Sequence, residues 1–167
     1  LLGQAAVGWP ERDRDELEAL ARRRESGSGV LVGCAGCYPT ATSLAAAPAI
    51  RAGLVGEGII VADAVSGVSG AGKKATERTH YCFADENVEA YGVGNHRHTP
   101  EIEQILGIEG RLVFTPHLAP LDRGLLSTVT LPLADVAINQ DKLDALYSDF
   151  YSDCNLVSVL TEGRQPK

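Results

Sequence analysis

The sequence predicts an α+β domain, because strand-like and helix-like segments follow one another along most of its 167 residues. Short apolar runs bounded by glycine, at residues 29–32 and 59–65, are typical of buried strands. An alanine-rich run at 41–50 and an apolar stripe of helical period at 99–106 are typical of helices. With 44% hydrophobic residues, the chain has enough apolar material for one sizeable core.

Composition narrows the class of protein before any motif is considered. A formal net charge of −7 opposes binding to nucleic acid, since polyanions are bound by basic surfaces. No apolar run approaches the roughly 18 residues of a membrane-spanning helix, and residues 1–10 lack the basic start and cleavage site of a secretory signal. Four cysteines in a chain of this size do not form a disulfide-rich scaffold. We therefore expect a cytoplasmic protein with reduced thiols, whose partners include neither nucleic acid nor membrane.

The first predicted helix covers residues 11–24, where Leu17, Leu20 and Ala21 share one face among many charges. A Ser-Gly-Ser-Gly run from residue 26 ends it. The three arginines at 22–24 fit a solvated helix end, because cations at a helix C-terminus complement its dipole. We assign this helix no function. The chain opens on leucine and shows no strand followed by a glycine-rich dinucleotide motif near its start, so we interpret it as a fragment of a longer enzyme.

The next two elements place Cys37 at a junction between strand and helix. The apolar strand at residues 29–32 leads into it, and the alanine-rich helix follows with Pro39 at its first position. Unpaired N–H groups and the positive end of the helix dipole favour a thiolate at such a start. Cys37 is therefore predicted to be a catalytic nucleophile.

A glycine-rich loop at residues 66–74 follows the strand at 59–65. Its small residues and bare amides let a phosphate or carboxylate approach closely, and we prefer this interpretation to a flexible turn. The loop nearly matches two nucleotide motifs. However, Lys74 replaces the hydroxyl that binds magnesium in a phosphate-binding loop, and no convincing acidic residue follows where a dinucleotide fold requires one. The residues expected to contact an anion or cofactor are Ser66, Gly67, Ser69, Gly70 and Gly72.

Two histidines come just before the helix at 99–106. Thr99 is predicted to cap this helix, and the proline after it to be the first helical residue. Residues two apart on an extended segment point to opposite sides, so His96 and His98 are expected to have different roles, with one facing the site. Arg97 is a candidate donor to a substrate carboxylate or phosphate, and a surface ion pair is the competing interpretation.

The rest of the chain is mostly sheet-forming. Residues 111–118 and 125–131 are predicted to be strands joined by a tight turn, in which Arg123 either contacts substrate or only completes the turn. An amphipathic helix at 142–151 and a strand at 156–160 are predicted to follow.

A competing interpretation uses the cysteines as metal ligands. Cys34 and Cys37 form a C-x-x-C pair, and Cys82, His96 and His98 are available to complete a zinc site in a structural binding module. A zinc ribbon normally repeats the close pair, and here scattered single residues stand in place of the second pair. We therefore expect no metal, and prefer a nucleophile to a zinc module or a redox pair.

Four motifs in series carry a resemblance to a known family. They are Gly-Cys-Tyr-Pro-Thr-Ala-Thr from residue 36, Ser-Gly-Val-Ser-Gly-Ala-Gly-Lys from residue 66, His-Arg-His-Thr-Pro-Glu-Ile from residue 96, and Phe-Thr-Pro-His-Leu from residue 114 with Arg123 after it. In this order and spacing they resemble the N-acetyl-gamma-glutamyl-phosphate reductase family of the semialdehyde dehydrogenase superfamily. One departure is Cys34, which stands where members of the family usually carry asparagine.

The resemblance implies a glyceraldehyde-3-phosphate-dehydrogenase-like C-terminal domain, with a mixed, largely antiparallel sheet and helices packed on one face. Residues 1–167 would form the catalytic and dimerisation domain, with the family's N-terminal dinucleotide-binding domain and final C-terminal segment outside the chain. NADP would be bound mainly by that other domain, so the chain by itself is expected to be inactive. Association of identical chains through the sheet is also implied.

The implied reaction is the NADPH-dependent reduction of N-acetyl-L-glutamyl 5-phosphate to the 5-semialdehyde in arginine biosynthesis, through a thioester on Cys37 and with release of inorganic phosphate. In this family role His96 is the acid/base, and Glu101 is expected to orient the site. The expected substrate-binding residues are Arg97, His98 and Arg123. The choices between NADPH and NADH, and between a free and a carrier-bound substrate, stay open. The alternative is another acyl-phosphate or semialdehyde dehydrogenase of the superfamily.

Overall fold

The structure, a computed structural model, describes residues 6–8, 10–134, 137–161 and 163–166. They fold as two compact units. One comprises residues 37–146, and the other comprises the described parts of 1–36 and 147–167. No helix of the described residues is long and apolar enough to cross a bilayer.

The N-terminal part of the second unit contains β1 (Ala6–Gly8), α1 (Pro10–Glu25) and β2 (Val32–Cys34). The predicted first helix is confirmed in α1, where Leu20 is buried but Ala21 is exposed. The buried strand predicted at 29–32 is wrong in both position and burial, because β2 begins at Val32 and all its residues are exposed. Among the described residues β2 pairs only with β1, over three residues, so this short ladder supplies no second layer to bury it.

The C-terminal part of the chain holds α5 (Gln140–Phe150), which confirms the helix predicted at 142–151. Asn139 caps it, since its Oδ1 accepts the Lys142 N–H at 3.1 Å. The strand predicted at 156–160 is wrong, because no ladder forms there among the described residues. The Val157 N–H bonds locally to the Cys154 carbonyl, and Leu156 is 95% exposed. An apolar run becomes a strand only where a partner strand offers its hydrogen bonds.

The unit of residues 37–146 is built on a four-stranded mixed sheet, as predicted. Its strands are β3 (Ile60–Gly67), β4 (Glu89–Ala90), β5 (Leu112–Ala119) and β6 (Leu125–Thr130), in the order β4-β5-β3-β6. The central pair β3 and β5 is parallel, and the other two pairings are antiparallel. Parallel neighbours cannot be joined by a tight hairpin, and a helix and loops therefore separate β3 from β5 along the chain.

Helices pack on one face of this sheet, which also confirms the prediction. They are α2 (Cys37–Arg51) and α4 (Thr99–Leu106), which contact each other and also β6 and β5 respectively, and the single-turn α3 (Tyr81–Ala84) lies between them in sequence. Every second residue of β3 from Ile60 is buried, as the pleat requires. A hydrogen bond of 2.9 Å between Thr42 Oγ1 and Ser127 Oγ ties α2 to β6.

Both helix starts differ by one or two residues from the prediction. Pro39 is the third residue of α2 rather than the first, and Cys37 itself begins the helix. Thr99 is the first residue of α4 rather than its cap, and His98 takes the cap position. The N–H groups of a first turn have no partner inside the helix, so a proline fits anywhere in that turn and does not mark one position.

Candidate active site

A cavity of about 250 Å³ in the unit of residues 37–146 brings several of the predicted residues together. It lies where the start of α2, the end of β3 and the segment before α4 meet. Its lining residues are Cys37, Tyr38, Ser66, Gly70, Ala71, Arg78, Tyr91, His96, Arg97, His98 and Leu118. A thiol, two imidazoles and two guanidinium groups therefore share one cavity.

Cys37 is the first residue of α2 and is exposed, so its sulfur is accessible at a helix N-terminus. The next residue, Tyr38, is only 2% exposed. Its hydroxyl donates to the His117 carbonyl at 3.3 Å and accepts a hydrogen bond from the Tyr91 hydroxyl at 3.0 Å. Burial, reinforced by the bond from Tyr91, raises the pKa of Tyr38 well above its usual range. Tyr38 is thus a fixed neutral phenol beside the thiol.

His96 and His98 lie on the same side, with ring centroids 5.0 Å apart, so the prediction that they point to opposite sides is wrong. The segment is not extended: residues 93–95 and 97–98 form turns, and His98 has helical backbone angles. The His98 N–H donates to His96 Nδ1 at 3.2 Å. Because a backbone N–H can only donate, Nδ1 of His96 is the acceptor, and its neutral ring carries the proton on Nε2.

Burial is the main cause that lowers the pKa of both histidines. For His96, the charges of His98 and Arg97 act in the same direction. For His98, the carboxylate of Glu101 opposes the shift and Arg97 adds to it. The ring of His96 is also packed edge-on against Tyr38, Tyr91 and Phe114, at centroid distances of 5.7, 5.4 and 5.4 Å. Both imidazoles are therefore neutral at pH 7.

The His98 ring differs from the His96 ring in its hydrogen bonds. Its Nδ1 is buried and has no partner among the described residues. Its tautomer is therefore not fixed in the way that the backbone fixes that of His96.

The glycine-rich segment forms one wall of the cavity. It consists of the end of β3 and a 3₁₀ turn, Val68–Ala71. Ser66 is buried and donates to the Gly67 carbonyl at 3.0 Å, and a Cβ on Gly70 would lie only 2.6 Å from Ser66 Oγ. Glycine is required at position 70 for this approach, and it leaves an exposed wall of small residues.

The two arginines of the cavity are held differently. Arg97 is exposed and makes no ion pair among the described residues. Arg78 pairs with Glu89 at 3.0 Å, and its guanidinium carbon lies 5.4 Å from the centre of the Tyr91 ring. Arg97 is thus an exposed cation without an ion pair among the described residues, whereas Arg78 is held by Glu89.

Five predicted site residues do not line the cavity, namely Gly67, Ser69, Gly72, Glu101 and Arg123. Gly67 serves packing instead, because a Cβ there would lie 2.9 Å from both the Arg123 nitrogen and the Leu121 carbonyl oxygen. The Arg123 side chain is 86% exposed and pairs with Asp122 at 3.4 Å. Glu101 lies in the first turn of α4 and acts on the cavity through its charge on His98.

Sequence reasoning missed five lining residues, which are Tyr38, Ala71, Arg78, Tyr91 and Leu118. Adjacency to Cys37 is a signal that would have indicated Tyr38. No local pattern marks Arg78, which reaches the cavity only through tertiary contacts. In the described part of the chain, no group of three His, Cys, Asp or Glu side chains is placed to hold a metal ion.

The chain is similar in sequence and in fold to known proteins. The family model described as "Semialdehyde dehydrogenase, dimerisation domain" matches residues 37–167. A protein of Desulforudis audaxviator named N-acetyl-gamma-glutamyl-phosphate reductase is 44% identical over 171 residues, covering 100% of this chain and 46% of the relative. A protein of the same name from Synechococcus elongatus is 45% identical, covering 98% of this chain and 45% of the relative. The chain thus spans about half the length of the curated relatives it matches.

Solved structures with the same fold are more distant in sequence. Aspartate semialdehyde dehydrogenase II from Vibrio cholerae superposes with a TM-score of 0.67 at 14% identity, over 98% of this chain and 53% of that one. The enzyme from Francisella tularensis superposes with a TM-score of 0.57 at 11% identity, over 88% of this chain and 52% of that one. These similarities establish the fold.

Proposed function

Because the chain belongs to the semialdehyde dehydrogenase family, matching its dimerisation domain over residues 37–167, we propose that it is the catalytic part of an N-acetyl-gamma-glutamyl-phosphate reductase. The observation that carries the proposal is the single cavity that holds Cys37 with His96 and His98. The whole enzyme would act in the cytoplasm, reducing N-acetyl-L-glutamyl 5-phosphate to the 5-semialdehyde with NADPH. The names of the relatives at 44% and 45% identity support this substrate.

Cys37 supplies the covalent step. Its sulfur attacks the acyl carbon, the bond from that carbon to the phosphate oxygen breaks, and a thioester and inorganic phosphate result. The start of α2 supports this step, because backbone N–H groups at a helix N-terminus can hold the oxyanion of the tetrahedral intermediate.

The two histidines divide the remaining work. His96 presents a fixed Nε2–H, which suits donation of a hydrogen bond to the oxygen of the reacting carbonyl. His98 is neutral and free of such a constraint, so it is the better acceptor for the Cys37 proton and the better donor to the later hemithioacetal. The acid/base role expected for His96 from the sequence would thus pass to His98, with Glu101 stabilising its protonated form. Both histidines remain catalytic in this proposal.

The small-residue wall fits the nicotinamide end of NADP. Gly70 and Ala71 are exposed at the cavity, so a flat ring can approach Cys37 without meeting a side chain. When bound, the cofactor supplies the hydride that reduces the thioester. Ser66, Gly67, Ser69 and Gly72 shape this wall. We propose that the rest of the dinucleotide is held by a domain outside residues 1–167.

Arg97 is the residue proposed to bind the anionic groups of the substrate. Arg97 has no competing ion pair among the described residues, so it can bind the leaving phosphate together with the start of α2. Arg123 does not line the cavity. Its backbone lies in the turn that packs on Gly67, so its side chain would have to reach past this turn to contact substrate. The family description also supports association of identical chains.

The test is the reverse reaction in the full-length enzyme that contains this chain. Phosphate-dependent oxidation of N-acetylglutamate semialdehyde by NADP is measured for the wild type and for Cys37→Ser. We expect kcat of the variant to fall at least roughly 10³-fold, because the serine hydroxyl cannot replace the thiol as the covalent nucleophile. Cys82→Ser is the matched control, since Cys82 is exposed and lies outside the cavity. Equal losses in the two variants, or oxidation that does not need phosphate, would contradict the proposal.

A further inference from the structure

One cationic side chain of the cavity, Arg78, has no part in the chemistry described at Cys37. It belongs to a 3₁₀ turn, Glu77–Thr79, more than 40 positions after the nucleophile in sequence. Its side chain is 46% exposed and lines the same cavity as Cys37. It is therefore accessible to a ligand that reaches the thiol.

The guanidinium group is held in place before any ligand binds. Glu89 Oε1 lies 3.0 Å from Nη2 in an ion pair, and the centre of the Tyr91 ring lies 5.4 Å from the guanidinium carbon. Tyr91 is itself fixed, since its N–H donates to the Pro116 carbonyl at 3.0 Å and its hydroxyl to Tyr38 at 3.0 Å. Arg78 is thus connected through Tyr91 and Tyr38 to the start of α2. A positioned donor loses less conformational entropy on binding than a mobile one.

The charges around Arg78 favour a particular anion. A guanidinium group offers five N–H donors in a planar fork, and the contact with Glu89 engages only one of its nitrogens. The negative charge of Glu89 partly offsets the cation, so the remaining edge suits a planar monoanion better than a dianionic phosphate. Arg97, which has no ion pair among the described residues, is the stronger position for phosphate.

We propose that Arg78 binds the carboxylate of the acyl substrate while the reacting carbonyl lies at Cys37. The inference rests on the proposed function and deepens it, because it assigns the residue that selects an acidic amino-acid derivative over an uncharged aldehyde. Arg78 would then determine specificity and leave the covalent chemistry unchanged.

The experiment compares two substrates with wild type and Arg78→Gln in the full-length enzyme. The substrates are N-acetylglutamate semialdehyde and its α-carboxamide, which lacks the charge. With the carboxylate substrate we expect the KM of Arg78→Gln to rise about 10-fold or more, as for loss of a charge-assisted hydrogen-bonded pair, with little change in kcat. With the carboxamide, KM should be nearly the same for both proteins. Arg78→Lys keeps the charge without the fork and should give an intermediate KM.

Glu89→Gln is the matched control, since it breaks the same ion pair and keeps the guanidinium group and its contact with the Tyr91 ring. We expect its KM to rise much less than that of Arg78→Gln, because the cation loses part of its positioning but is no longer offset by a carboxylate. If Glu89→Gln reproduces the loss, or if Arg78→Gln fails equally with both substrates, Arg78 acts only through packing and the inference is wrong. A rise in the KM for phosphate alone would also overturn it. An inactive wild type would contradict the proposed function and this inference together, whereas unchanged KM values in an active Arg78→Gln contradict the inference alone.

Discussion

His96 and His98 share one cavity but are held by different contacts. A backbone N–H fixes the tautomer of His96, and the Nδ1 atom of His98 has no partner among the described residues. Burial is the main cause that lowers the pKa of both imidazoles, so one neutral ring can serve as a hydrogen-bond donor while the other exchanges protons. Two residues of the same type therefore acquire different chemistry from their surroundings.

After burial, which is the main cause, the charge of Arg97 also lowers the pKa of both histidines, and this contribution can be tested by Arg97→Gln. Removing the cation should raise the pKa of His96 and of His98, so that each ring takes up its proton at a higher pH than in the wild type. The measurement is an NMR titration of the imidazole signals. The same spectra should show His96 with its proton on Nε2.

Arg123→Gln provides the control for this titration, because Arg123 is 86% exposed and lies outside the cavity lining. It removes the same charge from the chain and should leave both histidine pKa values where they were. Equal shifts in the two variants would mean that net charge, and not the position of Arg97, sets these values.

At the residue scale, the sequence indicated the reactive types but not their orientation. Cys37, Ser66 and the two histidines were predictable because local motifs place them beside a helix start or a strand end. The shared side of His96 and His98 was not, since it depends on the helical backbone of His98 and not on residue spacing. Arg78 was also not predictable, because its position depends on Glu89 and Tyr91, which approach it only in the folded chain.

At the scale of elements, β3 positions Ser66 and the small-residue wall, which lie at its C-terminal end. Its register is set by burial, since Ile60 is 0% exposed whereas the adjacent Ile59 is 54% exposed. We predict that Ile60→Ala lowers the free energy of unfolding by about 2–5 kcal/mol, because it leaves a cavity at a fully buried position of the core. Urea unfolding of the purified protein measures this change.

Ile59→Ala is the matched substitution for this experiment, one residue earlier and outside the strand. Its cost should stay within about 0.5 kcal/mol, as for other exposed positions. Similar losses at both positions would show that the alternation of burial along β3 does not determine stability here.

The bounds of β3, β5 and β6 were predicted to within a few residues. Each of these strands has glycine at a boundary and a partner strand in the sheet. The strands at 29–32 and 156–160 were not, although their apolar character is similar. The sequence pattern of a strand shows which side chains the segment could bury. Whether a partner strand and a covering layer are present depends on the rest of the fold. Leu156, at 95% exposure, is the clearest case.

At the scale of the molecule, the sheet has one covered face and one open face. The open face carries Val61, Val65, Val113 and Leu126, alternating along the strands with polar residues. Val113 and Leu126 are 48% and 51% exposed, and the matching family model is described as a dimerisation domain. We therefore propose this face as the contact between identical chains.

The last prediction concerns that contact. The double variant Val113→Glu/Leu126→Glu places charges on both exposed apolar positions of the open face, and desolvating them would oppose association. We expect the dimer dissociation constant of the full-length enzyme to rise at least roughly 10-fold, which corresponds to about 1.4 kcal/mol, measured by sedimentation equilibrium. Val93→Glu is the control, because Val93 is 62% exposed in a turn outside the sheet and should not affect association. A double variant that sediments like the wild type would exclude this face and direct attention to other surfaces. Loss of the dimer in both variants would point to a general effect of added negative charge on a chain that already carries a net charge of −7.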